Sequence, residues 1–196
     1  RLMLMPRLDP EAARPHGRRS LEEGSPEVRV AAIGCLGDAP DDLPLLLEQA
    51  KARAKDVRAA ALAALGRCGA EEAARVLSDA IRRDDLPLAV EPLRRSRHPA
   101  VTDALLGEAE RHFEALTAGK EKDAKALGKQ NERACLLLEC LKGREDARTE
   151  ALLLSIFENV GRLAAVKGTP GGGDVVERLI SVMAAGSPAV QSALID

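Results

Sequence analysis

Apolar residues recur every three to four positions after Ser25-Pro26, which is the spacing of one face of an α-helix. Serine caps helix N-termini, and proline fits the first helical position because the amide hydrogen that it lacks would have no partner there. Gly37 ends the pattern. We predict one helix here, with the following buried positions: Val28, Ala31, Ala32, Cys35 and Leu36.

The same pattern returns 29 residues later, because residues 27–37 and 56–66 are identical at six of eleven positions. A fixed period of roughly 20–50 residues is typical of solenoids, in which each unit buries its apolar face against the next. Ala and Leu are in great excess along the chain, which favours packing between helices. The pattern predicts an all-α fold, an α-solenoid of antiparallel helix pairs.

Further helices are predicted from turn residues and apolar stripes. Asp41-Asp42 opens a helix between the two copies, and another helix follows over residues 70–83. A third copy begins at Asp85, but Pro92 falls inside its helix and is expected to kink or shorten it. Another helix begins at Pro99. Its apolar face consists of Val101, Leu105, Leu106, Ala109, Phe113 and Leu116.

Changes in composition predict four stretches along the chain. Residues 1–24 are expected to hold a partial repeat helix and an irregular insertion, and residues 25–119 a series of helix pairs. Residues 120–130 are predicted to form an exposed, partly helical, Lys-rich insertion. Residues 131–196 are expected to hold further divergent helical repeats, with a Gly-rich break at 168–173.

The composition narrows the possible functions. The chain has two Phe, no Trp and no Tyr, and its 29 basic and 31 acidic residues give a net charge of −2. Without a positive field or stacking aromatic residues, nucleic-acid binding is disfavoured. Four cysteines lie in Ala- and Leu-rich stretches without CxxC spacing, so we predict core residues rather than metal ligands or disulfides.

The apolar runs predict neither a membrane span nor a leader. None approaches the ~20 residues that a transmembrane helix needs. Leu2-Met3-Leu4-Met5 is too short for the apolar core of a secretory signal. Because the first residue is Arg1 rather than Met, we expect the natural start to lie upstream. The expectation is a cytoplasmic protein, and a removed signal peptide is the open alternative.

A family resemblance is carried by Asp56-Val57-Arg58, Ala60-Ala61 and Leu65-Gly66. These residues resemble the second helix of HEAT repeats, in particular the bacterial HEAT-like repeats of the phycobilisome-lyase type. Residues 43–48 are similar to the first helix of the same unit. The resemblance implies a right-handed superhelix with the first helices on its convex side and the Val-Arg helices on its concave side. It also implies a protein-binding scaffold.

Enzymes with HEAT-like repeats differ from this chain where their chemistry lies. Hydroxylases of the deoxyhypusine type hold two irons with paired His-Glu motifs, whereas the histidines here precede Gly17, Pro99 and Phe113. HEAT-like DNA glycosylases use a basic groove with a stacking Trp, which this chain lacks. We predict a non-enzymatic scaffold for a protein partner, with no catalytic residue, metal or cofactor. The alternatives are an enzyme-accessory or lyase-like module and, less favoured, a nucleic-acid-binding protein.

An arginine ladder is the candidate partner-binding site. Arg29 and Arg58 occupy equivalent positions in the two copies, and further arginines lie on the corresponding helices beyond them. The ladder consists of Arg29, Arg58, Arg94, Arg95 and Arg133. These guanidinium groups can bind carboxylates or phosphates of a partner. They can equally pair with acidic residues of the neighbouring repeat and hold the array together.

Two other features are interpreted as structural. His112 shares a helix face with Glu108, but no further residue has the spacing that a metal or acid-base site needs, so a surface histidine is predicted. The glycines at 171–173 lack the Lys-Ser/Thr of a phosphate-binding loop, and we interpret them as a linker.

Overall fold

The computed structural model describes residues 10–36, 40–119, 123–161 and 172–195, and these residues form eleven helices and no β-strand. The chain divides into two compact units, residues 1–101 and residues 102–196, and the boundary lies inside the seventh helix. The helices are α1 (Pro10–Glu23), α2 (Pro26–Ile33), α3 (Leu43–Gln49), α4 (Lys55–Leu65), α5 (Glu71–Arg82), α6 (Leu86–Arg95), α7 (Pro99–Thr117), α8 (Ala124–Leu141), α9 (Ala147–Glu158), α10 (Gly172–Ala184) and α11 (Pro188–Ser192).

The first unit stacks its helices in two layers. Helices α2, α4 and α6 pack side by side, α1 packs on α2, and α3 and α5 form the second layer against α4 and α6. The all-α, solenoid-like stacking predicted from the repeat is therefore confirmed. Its core joins both layers, and its members are Leu21, Ala32, Ile33, Leu36, Leu46, Val57, Ala61, Ala64, Leu65 and Ala73.

A glycine sets the distance between α4 and α6. A Cβ added to Gly66 would lie 2.8 Å from both Cα and Cβ of Pro92. The φ of Gly66 is −62°, so any residue could adopt its backbone conformation, and the absent side chain is what the site requires. The end of α4 and helix α6 therefore approach each other almost backbone to backbone, and Pro92 is buried at this contact.

The proline inside α6 does not end that helix. The carbonyl of Pro92 accepts a hydrogen bond from the amide of Ser96 at 3.0 Å. Helix α6 therefore continues for three residues beyond Pro92 and spans ten residues, compared with eleven in α4. The missing amide hydrogen removes one helical hydrogen bond, and the buried proline ring packs against Gly66.

Helix α1 forms where the sequence analysis expected an irregular insertion, so that expectation was wrong. Ala13, Gly17 and Leu21 lie four residues apart and are all buried. This stripe faces α2, where a Cβ on Gly17 would come within 2.9 Å of Cβ of Cys35. Two of these three residues, Ala13 and Gly17, are small, so the packing face of α1 lacks the run of large apolar residues by which helical periodicity is detected.

The second unit is built on α7, α8 and α10. The six apolar positions predicted for α7 are all buried, from Val101 to Leu116. Helix α10 packs on α8 and α9, and α11 packs on α9 and α10. Arg144 is 4% exposed, and its NH1 donates to Oγ1 of Thr102 at 3.0 Å.

The boundary expected between residues 130 and 131 lies inside helix α8. That helix begins at Ala124, where the Asp123 carboxylate accepts a hydrogen bond from the amide of Ala126 at 2.7 Å. Residues 124–130 are therefore its first turns rather than a separate insertion, while residues 120–122 lie outside the described residues. Within the predicted Gly-rich break, Gly172 and Gly173 belong to α10, and residues 168–171 lie outside the described residues.

Candidate binding surface

Helices α2, α4 and α6 present one continuous layer of the first unit, which we call the α2–α4–α6 face. On α4 the surface positions follow helical spacing and are Asp56, Ala59, Ala63 and Arg67. On α2 they are Glu27, Ala31 and Gly34, and on α6 they are Pro87, Glu91 and Arg94. Helices α2 and α4 thus present small residues with charged residues near one or both ends, whereas α6 presents Pro87 with Glu91 and Arg94.

Arg58 is bound across two repeats. Its Nε and NH2 donate to Oδ1 of Asp85 at 3.1 and 3.0 Å, and both side chains are about a quarter exposed, at 23% and 28%. Its NH1 donates to the carbonyls of Ala52 and Arg53 at 3.0 and 2.9 Å. Arg58 therefore holds the α3–α4 connection to the start of α6.

Arg29 has a different partner from Arg58 despite its equivalent position. Its Nε and NH2 both donate to Oε1 of Gln49 at the end of α3, the first at 2.9 Å. Asp56, the counterpart of Asp85 in the repeat, is exposed. The two repeats thus use one arginine position to reach different neighbouring segments.

Arg94 and Arg95 converge on a residue of their own helix. NH2 of Arg94 lies 2.7 Å from Oε2 of Glu91, and Nε of Arg95 lies 2.8 Å from Oε1 of the same carboxylate. These pairs span three and four residues on the surface of α6, with the side chains 37% and 64% exposed. Exposed pairs of this kind stabilise a helix by about 0.3–0.5 kcal/mol.

Arg133 belongs to the second unit, where its NH2 lies 2.9 Å from Oε1 of Glu108 on α7. The structure therefore does not gather the five arginines at one site. Two connect segments within the first unit, two meet on α6, and one joins α7 to α8.

A buried carboxylate that the sequence analysis did not single out joins α1 to α3. Asp42 is fully buried, and NH2 and Nε of Arg18 lie 2.6 and 2.7 Å from its Oδ1. Arg14 Nε lies 3.7 Å from Oδ2. The detectable signal is a repeated tetrapeptide, since Asp42 and Asp85 both precede Leu-Pro-Leu.

The Leu-Pro-Leu segments explain why both aspartates accept arginine. Each aspartate is the N-cap residue of its helix, but neither side chain caps the helix. Both aspartates have a helical backbone conformation, with ψ of −26° and −2°, instead of the extended conformation typical of a capping residue. In addition, the second helical residue is proline, Pro44 or Pro87, which offers no amide hydrogen. Each carboxylate bonds instead to an arginine of a preceding helix.

His112 is half-buried between α7 and α8, rather than on the surface as expected. Its Nε2 lies 2.8 Å from the carbonyl oxygen of Gln130, so Nε2 carries the proton and donates it. Burial lowers the pKa of His112, and the Arg133 guanidinium lowers it further, against the opposing effects of the Gln130 carbonyl and Glu108. The ring therefore acts as a neutral connection between two helices.

No disulfide joins the four cysteines. Cys35 and Cys140 are buried, as predicted, while Cys68 and Cys135 are half-buried. Burial raises the pKa of the Cys35 thiol and of the Cys135 thiol. These two thiols are therefore protonated near neutral pH and are weak nucleophiles.

An acidic cleft lies between α8 and α10. It has a volume of about 590 Å³, and its charged residues are Glu132, Asp174, Glu177 and Arg178. NH1 of Arg178 lies 2.9 Å from Oε2 of Glu139. Among the described residues, no three His, Cys, Asp or Glu side chains converge as metal ligands would.

None of the described helices is both long enough and apolar enough to cross a membrane.

Comparison with known proteins identifies one family. A family model described as HEAT repeats matches residues 18–96. No curated protein and no solved structure matches the chain. The match begins within α1 and ends one residue after α6, so it includes the irregular third copy with Pro92.

Proposed function

Because residues 18–96 of this chain are HEAT repeats, we propose that the protein is a non-enzymatic scaffold whose α2–α4–α6 face binds a protein partner. The observation that carries the proposal is the make-up of this face. Successive repeats place the half-buried Ala31 and Ala59 and the exposed Ala63 on this face, with charged side chains near the helix ends. Small side chains let a partner approach the helix backbones closely.

The surface has the layout of a protein interface. Fully covered centres of interfaces are depleted in charge, and their rims are polar. Here Ala59 and Ala63 lie in the central helix, while Glu27, Asp56 and Arg67 lie nearer the helix ends. A partner would cover the small residues and orient itself by the charges around them.

The arginine ladder divides into two roles under this proposal. Arg94 and Arg95 are the arginines that meet the partner, because their side chains are 37% and 64% exposed and their ion pairs to Glu91 stay within one helix. Arg29 and Arg58 hold the repeats together, and Arg133 does the same for α7 and α8. A partner carboxylate can compete with Glu91 at small cost, because exposed pairs are weak.

The charged groups of this face also favour a scaffold over a lyase-like or accessory enzyme. Asp85 is bound to Arg58, and Glu91 is bound to two arginines. A general acid or base must face its substrate, whereas these carboxylates are engaged in contacts with arginines of the chain itself.

We also place the protein in the cytoplasm. The support is its cysteine chemistry, since no disulfide joins the four cysteines and two of them are buried in the core. Reduced cysteines are typical of reducing compartments.

The proposal is tested by blocking the face with a single bulky side chain. Ala63→Trp places a bulky side chain on α4, the middle helix of the face, and does not enter the core, because Ala63 is exposed. Proteins from the source cell are captured on the wild type and on Ala63→Trp, and crosslinked peptides locate the contact. Ala115→Trp on α7, also at an exposed alanine, is the matched control.

We expect a specific partner to be captured by the wild type and by Ala115→Trp, and lost from Ala63→Trp. Crosslinks should map to α2, α4 and α6. Equal capture by Ala63→Trp, with crosslinks elsewhere, would exclude this face. Conversion of a small molecule from the cell extract by the purified protein would instead favour the enzyme alternative.

A further inference from the structure

A groove of about 400 Å³ lies between α7 and α9 in the second unit. Helix α7 lines it with a single stripe at helical spacing, comprising Leu106, Glu110, Phe113, Glu114 and Thr117. Helix α9 lines it with a matching stripe, comprising Arg148, Ala151, Leu152, Ser155, Ile156 and Asn159. The groove is therefore a helix-sized channel between two helices rather than a pit at a loop.

The two helices run in the same direction along the groove. At its start, Arg148 pairs with Asp103, one turn before Leu106. At its other end, Thr117 and Asn159 both line it. Each stripe covers eleven residue steps, which correspond to about 16 Å, or three helical turns.

The floor of the groove is apolar. Leu106, Phe113 and Ile156 line it and are only 6%, 3% and 5% exposed. Ala151 and Ser155 on α9 are exposed and small, which leaves the space above the floor open. Apolar side chains of a ligand can enter between the two helices at this place.

One wall of the groove is negatively charged. Glu110 and Glu114 lie one turn apart on α7 and are exposed, and no cation among the described residues pairs with either. The single basic side chain in the lining, Arg148, is paired with Asp103. The open charge of the groove is therefore two carboxylates above an apolar floor.

The corresponding space in the first unit is different. A cavity of about 140 Å³ lies between α3 and α5, where larger apolar residues such as Leu47 and Val76 line it. Its lining carries two cations, Lys51 and Arg83, and two carboxylates, Asp79 and Asp85. The larger and acidic groove is therefore not a general consequence of stacking helices in this chain.

We propose that the α7–α9 groove binds an amphipathic helix of a protein partner, one that carries Lys or Arg beside its apolar stripe. A helix-in-groove complex uses apolar anchors at positions i, i+3 or i+4, and i+7, and about 16 Å of groove accommodates these anchors. The basic residues of the ligand pair with Glu110 and Glu114. This surface and the α2–α4–α6 face are independent proposals.

The test selects ligands from a displayed library of helical peptides. The wild-type protein is the positive target, and Ser155→Trp, which fills the groove from an exposed position, is the negative target. We expect the selected sequences to share an apolar stripe flanked by Lys or Arg. Their affinity should fall at least tenfold on Ser155→Trp, as measured by fluorescence anisotropy.

Charge is tested separately with Glu110→Gln/Glu114→Gln, which keeps the shape of the groove. The control Glu72→Gln/Glu145→Gln removes the same net charge from exposed glutamates outside the groove. We expect a loss of fivefold or more for the first variant and less than twofold for the control.

Three outcomes would overturn the proposal. The library yields no sequence that Ser155→Trp weakens, the selected sequences are acidic or uncharged, or both glutamine variants lose affinity equally. None of these results depends on the Ala63→Trp experiment, so failure of one proposal is distinguishable from failure of the other.

Discussion

Arg58 reaches from α4 to Asp85 at the start of α6, with two of its nitrogens 3.0 and 3.1 Å from one carboxylate oxygen. Its third nitrogen donates to two carbonyls of the α3–α4 connection, those of Ala52 and Arg53. One guanidinium group thus fixes three segments of two repeats. The planar, multidentate shape of arginine suits this position, and a lysine ammonium could not reproduce it.

Arg58→Ala should therefore lower stability before it affects binding. The substitution leaves Asp85 and two carbonyls without their donor, and we expect unfolding to become easier by about 1–3 kcal/mol. Urea denaturation monitored by circular dichroism measures the change. Arg75→Ala, at an exposed position on α5, is the control and should stay within about 0.5 kcal/mol of the wild type. Equal effects of the two substitutions would show that the Arg58 bonds contribute nothing to stability.

Asp42→Asn should be more damaging than its neighbour Asp41→Asn. Asp42 is buried against Arg18, whereas the Asp41 side chain is 82% exposed and lies 3.8 Å from the same arginine. We expect a loss of about 2–3 kcal/mol for Asp42→Asn, less than for a fully buried pair because Arg18 remains partly exposed. Asp41→Asn should cost about 0–1 kcal/mol. Comparable losses in urea titrations of the two variants would contradict this assignment.

Gly66→Ala should destabilise the contact between α4 and α6. The new Cβ would lie 2.8 Å from Pro92 backbone and ring atoms, so the helices must move apart, at a cost of about 1–3 kcal/mol. Gly69→Ala is a matched control, because a Cβ there meets no atom within 4 Å. It should be neutral or stabilising by up to about 1 kcal/mol. Thermal unfolding of both variants decides the point, and a stable Gly66→Ala protein would mean that the two helices adjust freely.

His112 should make stability depend on pH. Its pKa is lowered in the folded protein, chiefly by burial, so the unfolded chain binds more protons. Stability is then greatest above the unfolded pKa of about 6.5 and falls as the pH drops below that value, until the folded pKa is passed. Urea unfolding at pH 7.5 and pH 5.5 should show a smaller difference for His112→Gln than for the wild type. An unchanged difference would assign the pH dependence to other groups.

Regular apolar spacing made most of the helices predictable. In α4 and α7 the buried positions are Val, Leu, Ala and Phe at three- and four-residue intervals, so the sequence predicts both the helix and its buried face. Helix α1 was not predicted because its packing stripe includes Gly17, which contributes no apolar side chain and instead permits close approach of α1 to Cys35. The start of α8 was missed because residues 124–130 contain a single large apolar residue, Leu127, and the helix begins at the Asp123 cap.

The arginine positions were predictable, but their partners were not. Arg29 and Arg58 are equivalent in the repeat, yet one bonds to Gln49 and the other to Asp85. Which acceptor a long side chain reaches depends on how successive helices are placed, and small differences at the helix ends decide it. The Asp-Leu-Pro-Leu motif was visible in the sequence, but its meaning required knowing that proline leaves the N-cap carboxylate available.

The contact between Gly66 and Pro92 limits how this array can be rebuilt. A glycine in one repeat and a proline in the next are matched to each other, so neither repeat is a self-contained module. Recombination that joins α4 to a foreign neighbour would have to supply a helix that tolerates the same close approach. Lengthening the array by duplication would succeed most readily at a junction that keeps residues 66–92 intact, with the pair inherited together.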